Sequence, residues 1–230
     1  MPDSQLCSCG EAWTSCPVWG PLASTWDPRS ELPRIERHLR LLTRARELFG
    51  DRGLLIDSSK SLYALEFLLA HRQRFELGLE DLTVLFAVKD ARGFAASILA
   101  KQEGATSLVA AMRALRWWRH ANAEMLAALD RSGVRFAISR YEDLCWSPDE
   151  QCDRLVEALG LPTGAPREAG PVPHIAIGNK DYINHTRGRV RYDGRWLHDD
   201  RIQLAYLLSP AVRRTNRELF RRRRPATPSG

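Results

Sequence analysis

The chain has 230 residues, 44% hydrophobic and 27% charged, with seven Trp and seven Phe, which supplies material for a core and excludes global disorder. Its net charge of +6 is lodged near the C-terminus: from Arg187 onward twelve Arg face four acidic residues, and the preceding part carries a net −2. That distribution fits an anionic ligand or a solvated basic tail better than a basic nucleic-acid-binding domain, and no nucleic-acid partner is expected.

Residues 1–31 are rich in Cys, Gly, Pro, Ser and Trp and have no helical or strand period, so an irregular segment is expected. Leu32–Phe49 places Leu32, Ile35, Leu39, Leu42, Ala45 and Leu48 at helical spacing, with Gly50 as its stop. GLLIDSSK reads as a short buried strand, Leu54–Ile56, running into a polar turn, and a helix over Leu62–Phe75 follows. The unbroken apolar run from Leu82 to Val88 has the texture of a strand buried on both faces of a parallel sheet. A helix over Arg92–Gln102 and a long one over Ser107–Ser132 come next. Gly133 then opens a third strand in VRFAISRYEDL. In SPDEQCDRLVEALGL, Ser147 is the expected N-cap, Pro148 the first helical residue and Gly160 the stop. Beyond a Pro/Gly-rich stretch, two short helices close the domain, near Asp199–Leu208 and Pro210–Phe220. Alternating strands and helices predict an α/β fold with a parallel sheet, as one domain over 32–220 followed by a disordered basic tail over 221–230.

No apolar run reaches about 18 residues, so no integral membrane segment is expected. MPDSQLCSCGEAWTSC lacks the basic and apolar regions of a secretion signal, so the expectation is a cytoplasmic protein with reduced thiols.

Ligands of open parallel sheets sit beyond the carboxyl ends of the strands, where helices begin. Three polar clusters fall there: Asp57-Ser58-Ser59-Lys60, Lys89-Asp90-Ala91-Arg92 and Arg140-Tyr141-Glu142-Asp143. Cations, a hydroxyl and free backbone N–H groups suit a phosphate or sulfate oxygen. A plainer reading pairs each cation with Asp57 or Asp90, and on the residues alone the two readings stand even.

LLIDSSKSLYALEFLL followed by LTVLFAVKDARGFAASILAKQEG resembles the bacterial branch of the sulfotransferases that use 3'-phosphoadenosine-5'-phosphosulfate (PAPS). Their 3'-phosphate-binding segment reads Arg-Asp-x-Arg-x-x-x-x-Ser, matched here by Lys89, Asp90, Arg92 and Ser97. Lys in place of the first Arg keeps the charge and loses the bidentate fork. RYEDLCWSPDEQCDRLVEALGL is similar to a structural segment of that family. HIAIGNKDYINHTRGRVRYDGRW resembles its nucleotide-covering loop, which makes Asn179 and Lys180 candidates for the 3'-phosphate side and Trp196 a packing residue. CSCGEAWTSCPVW looks like a Cys-rich insert found in some members. The likeness runs from about Cys7 to Phe220 and implies a three-layer α/β/α sheet related to the phosphate-loop nucleotide-binding folds.

The family's first strand, with its Gly/Ser/Thr-rich loop for the 5'-phosphosulfate, has no counterpart in MPDSQL. We therefore expect a chain clipped at its N-terminus. The resemblance implies transfer of a sulfonyl group from PAPS to a hydroxyl or amine, leaving 3',5'-adenosine bisphosphate (PAP). Lys89 and Ser97 would hold the 3'-phosphate, with Arg92, Asn179 and Lys180 in support. Lys60 is the catalytic candidate, facing the sulfonyl oxygens. The chemistry requires no metal, and the acceptor would be a small molecule, carbohydrate or lipid. The alternative is an inactive nucleotide- or anion-binding remnant of the same fold. A nucleotide kinase fits less well, since neither Asp57 nor Asp90 has the Ser/Thr after a Lys that such a site uses.

Cys7, Cys9 and Cys16 read as thiols in an irregular segment, with a Cys9–Cys16 disulfide under oxidation. Zinc is the lesser reading, because a structural site takes four ligands and only three are near in sequence. Cys145 and Cys152 read as buried or half-buried singles. His174 could serve as a base or substrate contact, and Arg residues around His185 and His198 would depress their pKa values. Arg113, Arg116, Trp117 and Arg119 read as a solvated Arg face beside an apolar Trp face.

Overall fold

The computed structural model describes residues 6–7, 9–25, 30–50, 55–57, 61–102, 107–160 and 191–222. The chain divides into two compact units. The first takes its described residues from Met1–Lys60 and Ala70–Glu76, and the second from Ser61–Leu69, Leu77–Gly164 and Val190–Gly230.

In the first unit, single 3-10 turns at Trp13–Ser15 and Gly20–Leu22 are the regular structure before helix α1, Arg34–Phe49. Gly50 stops α1 at φ +68°, and its N–H is donated to the Arg46 carbonyl. No α1 residue is fully buried. The helix is held by polar contacts: Arg44 Nη2 donates to the Pro17 carbonyl at 2.9 Å, and Arg46 pairs with Glu76 at 3.0 Å.

The second unit is mostly helical around a small parallel sheet. Helix α2, Leu62–His71, begins in this unit, while its last two residues and the 3-10 turn over Arg72–Phe75 belong to the first. Strand β1, Thr83–Val88, leads through Lys89-Asp90 into α3, Ala91–Leu99. Helix α4, Leu108–Ser132, is capped by Ser107, whose hydroxyl accepts from the Ala110 N–H, and it ends at Gly133 with φ +69°. Strand β2, Arg135–Arg140, lies parallel to β1 in a register that sets Val88 beside Arg140. Helices α5, Tyr141–Trp146, α6, Pro148–Ala158, α7, Asp200–Leu207, and α8, Pro210–Arg221, complete the unit. Its core joins Phe86 and Phe136 of the sheet to Leu115 and Trp118 of α4, Ile202 of α7 and Leu219 of α8. Helix α4 is the spine, packing on α3, α7 and α8. Among the described residues no helix is long and apolar enough to cross a membrane.

The α/β class with parallel pairing is present, and several expectations need correction. Among the described residues the sheet has two strands. Of the first expected strand, Leu54–Ile56, the described pair Leu55 and Ile56 lies outside any strand, at 45% and 79% exposure. Three apolar residues in a row do not choose a strand unless a neighbour offers a ladder. Strand β1 is not buried on both faces: Phe86 and Val88 point inward while Leu85 stands 43% exposed, so its unbroken apolar run hides an ordinary alternation. The expected third strand ends at Arg140, and its YEDL is helical, because α5 begins at Tyr141. Ser147 precedes α6 as expected, yet its hydroxyl makes no capping bond. Trp117 and Trp118 part company, at 56% and 1% exposure, as neighbours 100° apart on a helix must. Cys145 is half-buried, but Cys152 is exposed.

Candidate anion site at the sheet edge

Parallel pairing brings the carboxyl ends of β1 and β2 to one edge, where α3 and α5 both start. The two-residue link after β1 lets Asp90 turn the chain. Its side chain accepts from the Arg92 N–H at 2.8 Å, capping α3. The carboxylate is 6% exposed and fully engaged. Arg92 Nε donates to Oδ1 at 2.9 Å, and Arg92 Nη2 and Asn216 Nδ2 both donate to Oδ2 at 3.0 Å. Burial works to raise the Asp90 pKa, but the hydrogen bonds and charge of Arg92, then Asn216, outweigh it and hold the group below its ordinary value. Arg92 is clasped in turn, its guanidinium 3.9 Å from the Trp196 ring centre and 4.7 Å from that of Tyr206.

Lys89 takes another course. Its carbonyl accepts the Trp118 indole N–H at 2.9 Å, which anchors the backbone. Its ammonium crosses the first turn of α3 and donates to Ser97 Oγ at 2.9 Å. Gly93 makes room for this path: a Cβ there would lie 2.9 Å from Lys89 Cε. The ammonium also donates to Asp193 Oδ2 at 3.2 Å and sits 4.7 Å from the Tyr141 ring centre. Lys89 and Asp193 side chains keep 21% and 19% of their surface in solvent, so the pair is shielded but reachable. Asp193 is shared with Arg195, whose Nε and Nη2 each reach it at 2.8 Å. The Arg195 bonds, then those of Lys89, hold the Asp193 carboxyl far below its usual range against a smaller opposing effect of burial.

Two residues at this edge lie in the segment read as merely structural. The Tyr141 hydroxyl donates to the Arg191 carbonyl at 2.6 Å and accepts the Asp193 N–H at 3.0 Å, which fixes the Asp193 segment over β2. Burial pushes the Tyr141 phenol up to about 12. Glu142 Oε1 accepts the Asp90 N–H at 2.9 Å, while Oε2 is buried without a hydrogen-bond partner. Burial raises the Glu142 pKa, against the opposing pull of that N–H. The sequence signal for both was their position immediately after a strand. Asp193 and Asn216 had no such signal, arriving from 104 and 126 residues away in the chain.

Of the expected site residues, Lys89 and Ser97 come together, and Arg92, three residues into the same turn, is committed to Asp90. Trp196 is buried in the core, as a packing residue should be. Lys60, Asn179 and Lys180, with His174 and His185, lie outside the described residues. A cation, a hydroxyl and a helix start at the carboxyl end of a parallel strand can hold a phosphate-like group, with Asp193 as the internal anion it would displace. Comparison with protein-family models, with curated proteins and with solved structures finds no match for the chain.

Proposed function

We propose that the chain is a PAPS-dependent sulfotransferase, moving a sulfonyl group from PAPS to a hydroxyl or amine of a small-molecule, carbohydrate or lipid acceptor. The observation that carries this reading is the meeting of Lys89 Nζ and Ser97 Oγ at 2.9 Å beyond the end of β1. In the proposal both hold the 3'-phosphate of PAPS, and PAP leaves after transfer. Arg92 supports them by locking Asp90 and the first turn of α3, and Asn179 and Lys180 cover the same phosphate. Lys60 faces the sulfonyl oxygens, where it would stabilise charge developing during in-line transfer. The doubly wound three-layer fold of those enzymes belongs to the same proposal. It is supported by the parallel β1–β2 pair and by the helices that start at its carboxyl edge.

Calorimetric titration with PAP, run beside a sulfonyl-transfer assay from PAPS, tests this. Lys89→Ala should weaken PAP binding by roughly 1–3 kcal/mol, the range of a charge-assisted contact. Asp193→Asn, which removes the competing carboxylate, should strengthen it. Binding without transfer would favour the anion-binding remnant. PAP affinity indifferent to both substitutions would leave Lys89–Asp193 a structural ion pair.

A further inference from the structure

The first unit holds a cluster of thiols that the anion site does not use. Cys7, Cys9 and Cys16 each bring one sulfur to a common point, all within 4.8 Å of one another. Cys7 and Cys16 are 2% and 1% exposed, while Cys9 is half-buried. The backbone fixes them rather than chance side-chain rotation. The Cys7 N–H is donated to the Glu11 carbonyl at 2.8 Å, and the Gly10 N–H to the Cys7 carbonyl at 2.9 Å. Gly10, at φ +91°, takes a conformation that other residues adopt only with strain, so the Cys-x-Cys-Gly order is what lets the turn fold back. The Cys16 N–H is donated to the Ala12 carbonyl at 2.9 Å, and Leu6 and Ala12 form an antiparallel bridge that closes the loop.

Distance separates the two chemistries open to such a group. A disulfide needs sulfurs about 2.0 Å apart. Thiolates bound to zinc at about 2.3 Å in a tetrahedron stand about 3.8 Å from one another. The Cys7 and Cys16 sulfurs are 3.6 Å apart, a hydrogen bond between two reduced thiols whose length is close to the metal spacing and far from that of a disulfide.

We propose that Cys7, Cys9 and Cys16 form a zinc site that staples the N-terminal segment. Three thiols give up three protons and bind Zn²⁺ as thiolates, so a dipositive ion becomes a centre of net charge −1. No described residue supplies the fourth tetrahedral corner. A staple suits the segment, because among its described residues the helical structure is two single 3-10 turns and the buried side chains besides the cysteines are Trp13, Leu22 and Thr25. Folds of that size hold together through disulfides or metals. The stack of Trp13 on Trp19, with ring centres 5.1 Å apart, lies in the loop between Cys9 and Gly20 and reports on its order.

The test uses the whole chain purified under reducing conditions. Elemental analysis should find about one zinc per chain, the number one three-thiolate site can hold. After chelator treatment, Co²⁺ should restore a near-ultraviolet thiolate-to-metal band and the intensity pattern of a tetrahedral ion, with a matching change in Trp fluorescence. Cys7→Ser and Cys16→Ser should abolish the band, and Cys152→Ser on exposed α6 should leave it intact. Serine at the two buried positions can unfold the segment for other reasons. Stripping and reloading the wild-type chain, together with Cys9→Ser at the half-buried position, decide the matter without that ambiguity. A fully reduced chain that takes up neither zinc nor cobalt overturns the proposal. So does a Cys9–Cys16 disulfide that persists in the reduced preparation, or uptake of Cu⁺ with indifference to zinc.

Discussion

Asp90→Asn separates the charge of the Asp90–Arg92 pair from its geometry. Asparagine is as good an N-cap as aspartate, and its carbonyl oxygen can keep the bond from the Arg92 N–H. What it loses is the negative charge and the Oδ2 acceptor beside a guanidinium that donates two bonds to the carboxylate and is wedged between Trp196 and Tyr206. Removing one partner of a buried pair costs about 3–5 kcal/mol. The Arg92 side chain retains 26% exposure, so water recovers part of this, and about 2–4 kcal/mol is expected after that discount. At about 2–4 °C per kcal/mol for a domain of this size, the melting temperature should fall by about 10 °C. Asp90→Ala should cost about 1 kcal/mol more, the value of the lost cap. Urea melts of both variants, with Arg92→Met and the double variant, make the cycle, and the double should recover part of the single losses. Acid offers a second readout. A carboxylate with a depressed folded pKa gives stability that is present above the unfolded value and lost as pH falls through the folded one, and Asp90→Asn should remove that dependence. A loss below about 1 kcal/mol, or strict additivity with Arg92→Met, would refute the reasoning.

Gly93→Ala should leave stability nearly unchanged, because Ala gains about 0.5–1 kcal/mol of helix preference while its Cβ displaces only the flexible end of Lys89. The displaced ammonium leaves Ser97, so PAP affinity should fall in calorimetric titration while the urea midpoint holds. Glu142, half-buried with a raised pKa, works opposite to Asp90: the folded chain holds its proton longer than the unfolded one, so stability falls as pH rises above the ordinary Glu value. Glu142→Gln should therefore gain on the wild type as pH climbs above about 4.3, the ordinary Glu value, as melts at successive pH values will record. Trp118→Phe keeps most of the packing but orphans the Lys89 carbonyl, at a cost of about 1–3 kcal/mol in a urea melt.

The elements with long periods were legible in the sequence. Helix α4 lies within one residue of its expected bounds, because its apolar spacing persists over 25 residues and Ser107 and Gly133 mark both ends. The Lys89–Ser97 meeting was legible too, since both belong to one strand-to-helix turn. Short apolar runs were not. Leu54–Ile56 and Leu82–Val88 look alike in composition, and only the second finds a partner strand among the described residues. The polar partners that complete the site were invisible for a different reason. Asn216 is set beside Asp90 by the packing of α8 on α4, and Asp193 beside Lys89 by its bond to the Tyr141 hydroxyl, and no local pattern encodes either. The 3.6 Å approach of Cys7 and Cys16 likewise depends on a bridge and a glycine turn, where sequence spacing counts only candidate ligands.

Asn216 has a consequence for the order in which the chain can fold. Its amide oxygen accepts the Ala91 N–H at 3.1 Å while its nitrogen donates to Asp90 Oδ2 at 3.0 Å. One side chain of α8 thus finishes the first turn of α3 from 125 residues downstream. During synthesis β1, α3, α4 and β2 emerge long before it, and until α8 follows, the Ala91 donor and one of the four hydrogen-bonding positions on Asp90 face water. Long-range closures of this kind come late and slowly. The anion site is therefore among the last parts of the molecule to set, and a nascent chain holds its scaffold well before it holds a rigid place for a ligand.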